Sequence, residues 1–135
     1  MTNKSKKILS EISAGELLDK ISILEIKLDK IKNKNSREEI NKEYNLLEDA
    51  KNSNIDVTET VQQLFNEIKE VNLNLWNIED NIRICEKNKD FGKNFIELAR
   101  GVYFKNDERA KFKNEINEIL GSNIREVKQY VDYKI

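Results

Sequence analysis

Apolar residues in the second half of the chain fall at alternating steps of three and four: Val61, Leu64, Ile68, Val71, Leu75, Ile78, Ile82 and Cys85. A second stripe runs Phe95, Leu98 and Val102, turns polar at Lys105 and Arg109, and resumes at Phe112, Ile116 and Ile119. Seven-residue spacing with apolar a and d positions is the coiled-coil pattern of helices packed side by side. Each stripe predicts a helix of about 30 residues, roughly 45 Å long at 1.5 Å per residue. The turn between them, Asn88-Lys-Asp90, is short enough to force an antiparallel hairpin. The second long helix is expected from about Phe91 to Leu120, ending at Gly121 as a left-handed cap.

Two shorter helices precede the hairpin. Ser13-Ala-Gly-Glu16 reads as a capping box opening the first, with its seam at Leu17, Ile21, Leu24, Leu28 and Ile31, fading in the Lys32 to Asn35 run. A second box, Ser36-Arg-Glu-Glu39, opens a helix with Ile40, Tyr44 and Leu47 on one face, ending near Asn52. Asp56 with Glu59 caps the third helix, and Ser122 caps a last short helix over residues 123–130. The fold class is therefore all-α, an antiparallel helical bundle built on the hairpin of helices three and four. Residues 1–12 form a flexible basic arm, disordered from Met1 to Lys7 with Ile8, Leu9 and Ile12 able to dock, and 13–135 form one helical-bundle domain. Because the first two helices are too short to cover the hairpin, the seam near Val61 to Ile68 is expected to need a partner, which points to a homodimer.

Composition agrees with long helices: proline is absent and glycine occurs four times, at Gly15, Gly92, Gly101 and Gly121. Lysine plus arginine number 24 against 25 acids, so no basic face marks a nucleic-acid partner. The lone cysteine, Cys85, excludes an intrachain disulfide, occupies a d position as a small core residue, and suits a reducing compartment. No histidine is present, so histidine catalysis and structural zinc are excluded, and no cofactor is called for. No apolar run approaches the roughly 18 residues of a membrane span, and residues 1–12 lack a signal-peptide core. The expectation is a soluble cytoplasmic protein with neither membrane nor nucleic acid as partner.

The polar break in the second stripe is the functional lead. Tyr103, Asn106, Arg109, Ala110 and Lys113 continue the face of Phe95, Leu98 and Val102. Trp76, Asp80 and Arg83 flank the seam of helix three, and Glu16, Lys20 and Lys27 hold the same flanking place on helix one. Folding helices three and four back about Lys89 brings Asp80 towards Arg100 and Arg83 towards Glu97, with Asn106 and Arg109 level with Val71 and Asn72. One reading is a salt-bridge network that sets the register of the bundle. The other is an anion site in which Arg83, Arg100, Arg109 and Lys113 donate and Tyr103 and Asn106 add neutral hydrogen bonds. Arginine forks suit carboxylate or phosphate, and only five arginines stand among the 24 basic residues. Replacing Arg109 by Met is then expected to be neutral or stabilising, by relieving repulsion from Lys105 and Lys113. Glu16 and Asp80 are the candidate general acid and base of an enzyme reading. Trp76 reads as core, with a stacking platform as the alternative, and Glu79 with Arg83 as an ordinary i, i+4 pair.

The runs Ser13-Ala-Gly-Glu-Leu-Leu-Asp-Lys20 and Ile23-Leu-Glu-Ile-Lys27, then Leu75-Trp76, Glu79-Asp80 and Arg83, resemble a family of short uncharacterised bacterial helical proteins, a domain of unknown function. Leu98-Ala-Arg100, Val102-Tyr103, Asn106-Asp107, Arg109-Ala110, Lys113 and Asn117 resemble its most recognisable segment, followed by Gly121-Ser122, Glu126, Lys128 and Tyr130. The resemblance adds Asp107 to the candidate site. It implies no activity, and through glycosyltransferase-type modules in some relatives it implies a role near surface-glycan synthesis. Together these point to a binding protein for a small anionic ligand or a partner protein. The alternatives are a structural or adaptor coiled coil, and an enzyme acting on an anionic metabolite.

Overall fold

Each helix begins where a side chain can take up its first free amide. In the computed structural model, which describes residues 6–133, the helices are α1 (Ala14–Lys30), α2 (Lys34–Asn54), α3 (Glu59–Lys87) and α4 (Lys93–Leu120), with no strand among the described residues. Ser13 caps α1, its Oγ accepting from the Glu16 amide at 3.1 Å. The expected box is only half formed, because the Glu16 carboxylate turns to Lys113 instead of the Ser13 amide.

Two helix starts differ from expectation. Asn33, not Ser36, caps α2 and accepts from the Ser36 amide at 3.0 Å, so Lys34 and Asn35 of the Lys/Asn run belong to the helix. Asn caps as well as Ser, and the earlier start adds intrahelical hydrogen bonds. Thr58, not Asp56, caps α3. At the hairpin, Lys89 takes a left-handed φ of 53° and α4 starts two residues later than expected, with Gly92 as N-cap. Gly121 closes α4 with φ 61° and ψ 42°, the left-handed cap read from the sequence.

The α3/α4 hairpin is the most extensive pairing; α1 packs on both of its helices, and α2 packs on α1. Leu17, Leu18 and Ile21 of α1 meet Val61, Leu64 and Ile68 of α3 and Ile116 of α4 in one buried cluster. Burying each such side chain contributes roughly 1.5–3 kcal/mol. Tyr44, Leu47 and Ala50 of α2 pack against the same cluster. Arg37 of α2 donates to the carbonyls of Leu28 and, at 2.9 Å, Ile31, satisfying the end of α1.

The seam expected to lie bare does not. Val61, Leu64 and Ile68 are buried within the single chain, because α1 runs alongside that end of α3. The bare part is the opposite end, where the hairpin projects beyond α1. There Ile84, Phe91 and Ile96 are 53%, 51% and 54% exposed.

The expected short helix over 123–130 is also not formed. Ser122 accepts from the Ala14 amide at 3.1 Å, and the following residues run without helix back along α4. Glu126 reaches Lys113 and Tyr133 reaches Asp107, so this tail exchanges helical hydrogen bonds for tertiary ones. Residues 6–13 are not helical, and Ile8 and Leu9 are exposed rather than docked. The expectation for Met1 to Ser5 lies outside the described residues.

Candidate functional site

A polar layer is buried between α1, α3 and α4. Its hub is Asn72, whose Nδ2 donates to Asp19 Oδ1 at 2.7 Å and to Ser22 Oγ at 2.8 Å. Ser22 Oγ in turn donates to the Asp19 backbone carbonyl at 2.7 Å. On the other side of the amide, Asn72 Oδ1 accepts from Arg109 Nη1 at 3.1 Å, and Arg109 Nη2 donates to Asn106 Oδ1 at 2.7 Å. The amide of Asn72 thus stands between a carboxylate and a guanidinium, donor towards one and acceptor towards the other.

One turn further along α4, Lys113 is only 6% exposed. Its Nζ lies 2.7 Å from Glu16 Oε2, 3.0 Å from Glu126 Oε2 and 3.7 Å from Asp19 Oδ2. Burial pulls the Lys113 ammonium down, but hydrogen bonds to Glu16 and Glu126 and the charge of Asp19 outweigh it and hold the group above its ordinary value. Burial likewise pushes Glu16 up, and the Lys113 hydrogen bond and charge, with Lys20 and Arg109 adding, leave it below the usual carboxylate value. Another turn on, Asn117 Oδ1 accepts from the Gly15 amide at 2.7 Å. With Ser13, Asn117 and Ser122 each holding one amide, the start of α1 is saturated by the protein.

Beside this layer opens a cleft of 330 Å³ between α1, α3 and the Arg109 guanidinium. Ile23, Ile26, Leu75 and Trp76 form its apolar wall, with Asn72 and Arg109 at one end. Glu79, Asp80 and Arg83 line the rest. Arg83 is paired with Glu79 at 2.8 Å, whereas Asp80 and Arg109 form no ion pair among the described residues. A pocket of this size with an apolar wall and a few convergent polar groups suits a small ligand.

The layer and cleft gather Arg109, Asn106, Lys113, Glu16, Trp76, Asp80 and Arg83, and Lys20 joins through Glu16 at 3.8 Å. The expected level of Arg109 with Asn72 is met by their hydrogen bond. Four candidates stand apart. Arg100 is exposed, its guanidinium lying 5.7 Å from the centre of the Phe104 ring, so the expected approach of Asp80 to Arg100 does not occur. Nor does Arg83 meet Glu97, because Glu79 one turn away on α3 captures it. Tyr103 packs with Phe104 and Tyr133, and Asp107 accepts from the Tyr133 hydroxyl. That hydrogen bond, with lesser burial and the Asp107 charge, pushes the Tyr133 phenol up to about 12. Lys27 is half-buried and forms no ion pair among the described residues.

Sequence reasoning passed over Asp19, Ser22 and the role of Glu126. A signal for the first two was present: Leu17, Leu18, Ile21, Leu24 and Ile26 surround most of α1, so polar residues among them must be buried as well. Glu126 gave no such signal, since only the returning tail brings it to Lys113.

No curated protein and no solved structure matches the chain. Among protein families one does, over residues 8–133, a span that holds all four helices, the polar layer and the returning tail. The chain accordingly belongs to a family of unknown function, DUF6165.

Proposed function

We propose that this protein is a binding module for a small ligand bearing a carboxylate or phosphate, with Arg109 as the anchor. The observation that carries the reading is the partnering of Arg109. Its two contacts are neutral amides, Asn72 and Asn106, which orient the guanidinium without neutralising it. A cation held in place by neutral groups at the end of an open cleft keeps its charge, and the N–H groups not taken by the amides, for an incoming anion. Arg83, at the same cleft, is a second donor that Glu79 can release. Binding is favoured over catalysis because Glu16, one of the two candidate acid–base groups, is paired with Lys113 and held below its ordinary value.

A structural reading has one specific support. Lys113, with three carboxylates within 4 Å, behaves as a register-setting ion cluster, and we assign it that role rather than ligand contact.

Calorimetric titration with inorganic phosphate tests the reading. Saturable binding is expected, lost in Arg109→Met and kept in Lys111→Met, a change at an exposed site on the same helix. Absence of binding, or binding indifferent to Arg109, overturns it.

A further inference from the structure

We propose that the cleft selects an aryl anion, a flat aromatic ring with a carboxylate or phosphate at one end and a hydrogen-bond donor at the other. This deepens, and rests on, the anchoring role of Arg109. On α3, Asn72, Trp76 and Asp80 follow one another at four-residue steps and so share a face. All three line the cleft. The row places Asn72, which holds the Arg109 anchor, then an aromatic wall and a carboxylate in order over roughly 12 Å, eight residues at 1.5 Å each. A para-substituted ring with a hydrogen bond of about 2.8 Å at each end fills such a span.

The apolar wall selects the ring. Ile23 and Ile26 of α1 line the cleft together with Leu75 and Trp76 of α3. An inorganic anion leaves this apolar surface wet, whereas an aromatic ring buries it and stacks on the indole. A sugar ring carries hydroxyl groups around its edge, and the isoleucines offer those groups no partner once water is displaced. Asp80 sets the polarity of the far end. It forms no ion pair among the described residues, since Arg83 takes Glu79, so it accepts a hydroxyl or amine and repels a second anionic group.

Trp76 is the only tryptophan in the chain, so its emission reports occupancy of this cleft. The full chain is titrated by calorimetry and by tryptophan fluorescence with inorganic phosphate, phenyl phosphate, 4-hydroxyphenyl phosphate and glucose 1-phosphate. Phenyl phosphate is expected to bind about tenfold or more tighter than inorganic phosphate and to perturb Trp76 emission. The para hydroxyl should add about fivefold or more, lost in Asp80→Ala while phenyl phosphate binding stays. Trp76→Leu should erase most of the aryl advantage in calorimetry and leave inorganic phosphate binding in place. Aryl phosphates no tighter than inorganic phosphate, with binding still dependent on Arg109, overturn the aryl inference and leave the anion anchor standing. Preference for glucose 1-phosphate over phenyl phosphate overturns it equally. If none of the four binds, the anchor and the aryl inference fall together.

Discussion

Arg109 and Lys113 lie one helical turn apart on α4, yet their surroundings give them unequal sensitivities. Arg109 leans on two amides, so Arg109→Met orphans the buried Asn72 Oδ1, at a cost of about 1–3 kcal/mol, partly offset by an apolar side chain in the stripe. A net loss of about 1–2 kcal/mol is expected in ligand-free urea melts. The neutral or favourable change expected from the sequence rested on repulsion from Lys105 and Lys113. Lys105 is paired with Glu108 at 3.2 Å and Lys113 with three acids, so little repulsion remains to be relieved. Lys113→Met instead leaves Glu16, Asp19 and Glu126 facing one another without their cation. Its cost should reach roughly 3–5 kcal/mol, that of breaking a buried pair. Equal losses in the two variants would show that Arg109 is held by charge rather than by amides. Gly15 is sensitive for a different reason. A Cβ there would stand 2.5 Å from the Lys113 carbonyl oxygen, a backbone atom, so Gly15→Ala must push α1 and α4 apart. The expected loss of about 1–3 kcal/mol should appear in the same melts.

Between elements, the polar layer sets how stability depends on pH. Glu16 is held below 4.5 in the fold, so its contribution is whole above that value and is lost as pH falls through the folded value. Lys113 is held above 10.5, so its contribution is whole below that value and is lost as pH rises through the folded one. Tyr44, raised to about 12 by burial and by Glu25, adds to the alkaline limb, because the unfolded phenol ionises from about 10 while the folded one does not. Urea midpoints should therefore be flat through neutrality and fall at both ends. Glu16→Gln should flatten the acid limb, and an unchanged limb would assign acid sensitivity elsewhere. The elements themselves were largely legible, because the stripes of α3 and α4 each run over about seven turns and the Gly121 cap follows from local chemistry. Cap positions slipped at Ser36 and Asp56 because Asn33 and Thr58 are competent caps too and stand only three and two residues away. The hub of the layer was less legible. Asn72 sits in a run of asparagines whose members look alike in sequence, and only the packing of α1 shows which of them is buried.

At the scale of the molecule, cover is uneven along the hairpin. Val61, Leu64 and Ile68 of α3 pack against α1 as well as α4, and Asn72 bonds to both, while Ile84 towards the far end of α3 is left exposed. A two-helix segment buries one face of each helix and leaves the other to water, so it opens at lower free energy than a segment with a third helix. Gly101 lets α3 and α4 approach closely there, with Ile78 Cδ1 only 3.1 Å from where its Cβ would stand, but a close pair is still only a pair. Hydrogen exchange should therefore rank the amides. Residues 61–75 and 106–117 are expected to exchange by global unfolding, and residues 78–100 faster, by local opening of the hairpin end. Uniform protection along α3 in dilute protein would contradict this gradient. Concentration tests the homodimer expected from the sequence, because the apolar residues left bare at the distal end of the hairpin, Ile84, Phe91 and Ile96, all lie on the fast segment. A second copy seated there would slow exchange of residues 78–100 as protein concentration rises and leave residues 61–75 unchanged. Ile96→Glu, made at a site more than half exposed, should leave the monomer's stability within about 0.5 kcal/mol and abolish that slowing. Exchange in 78–100 that ignores concentration rules out a dimer through the distal hairpin and leaves that end frayed.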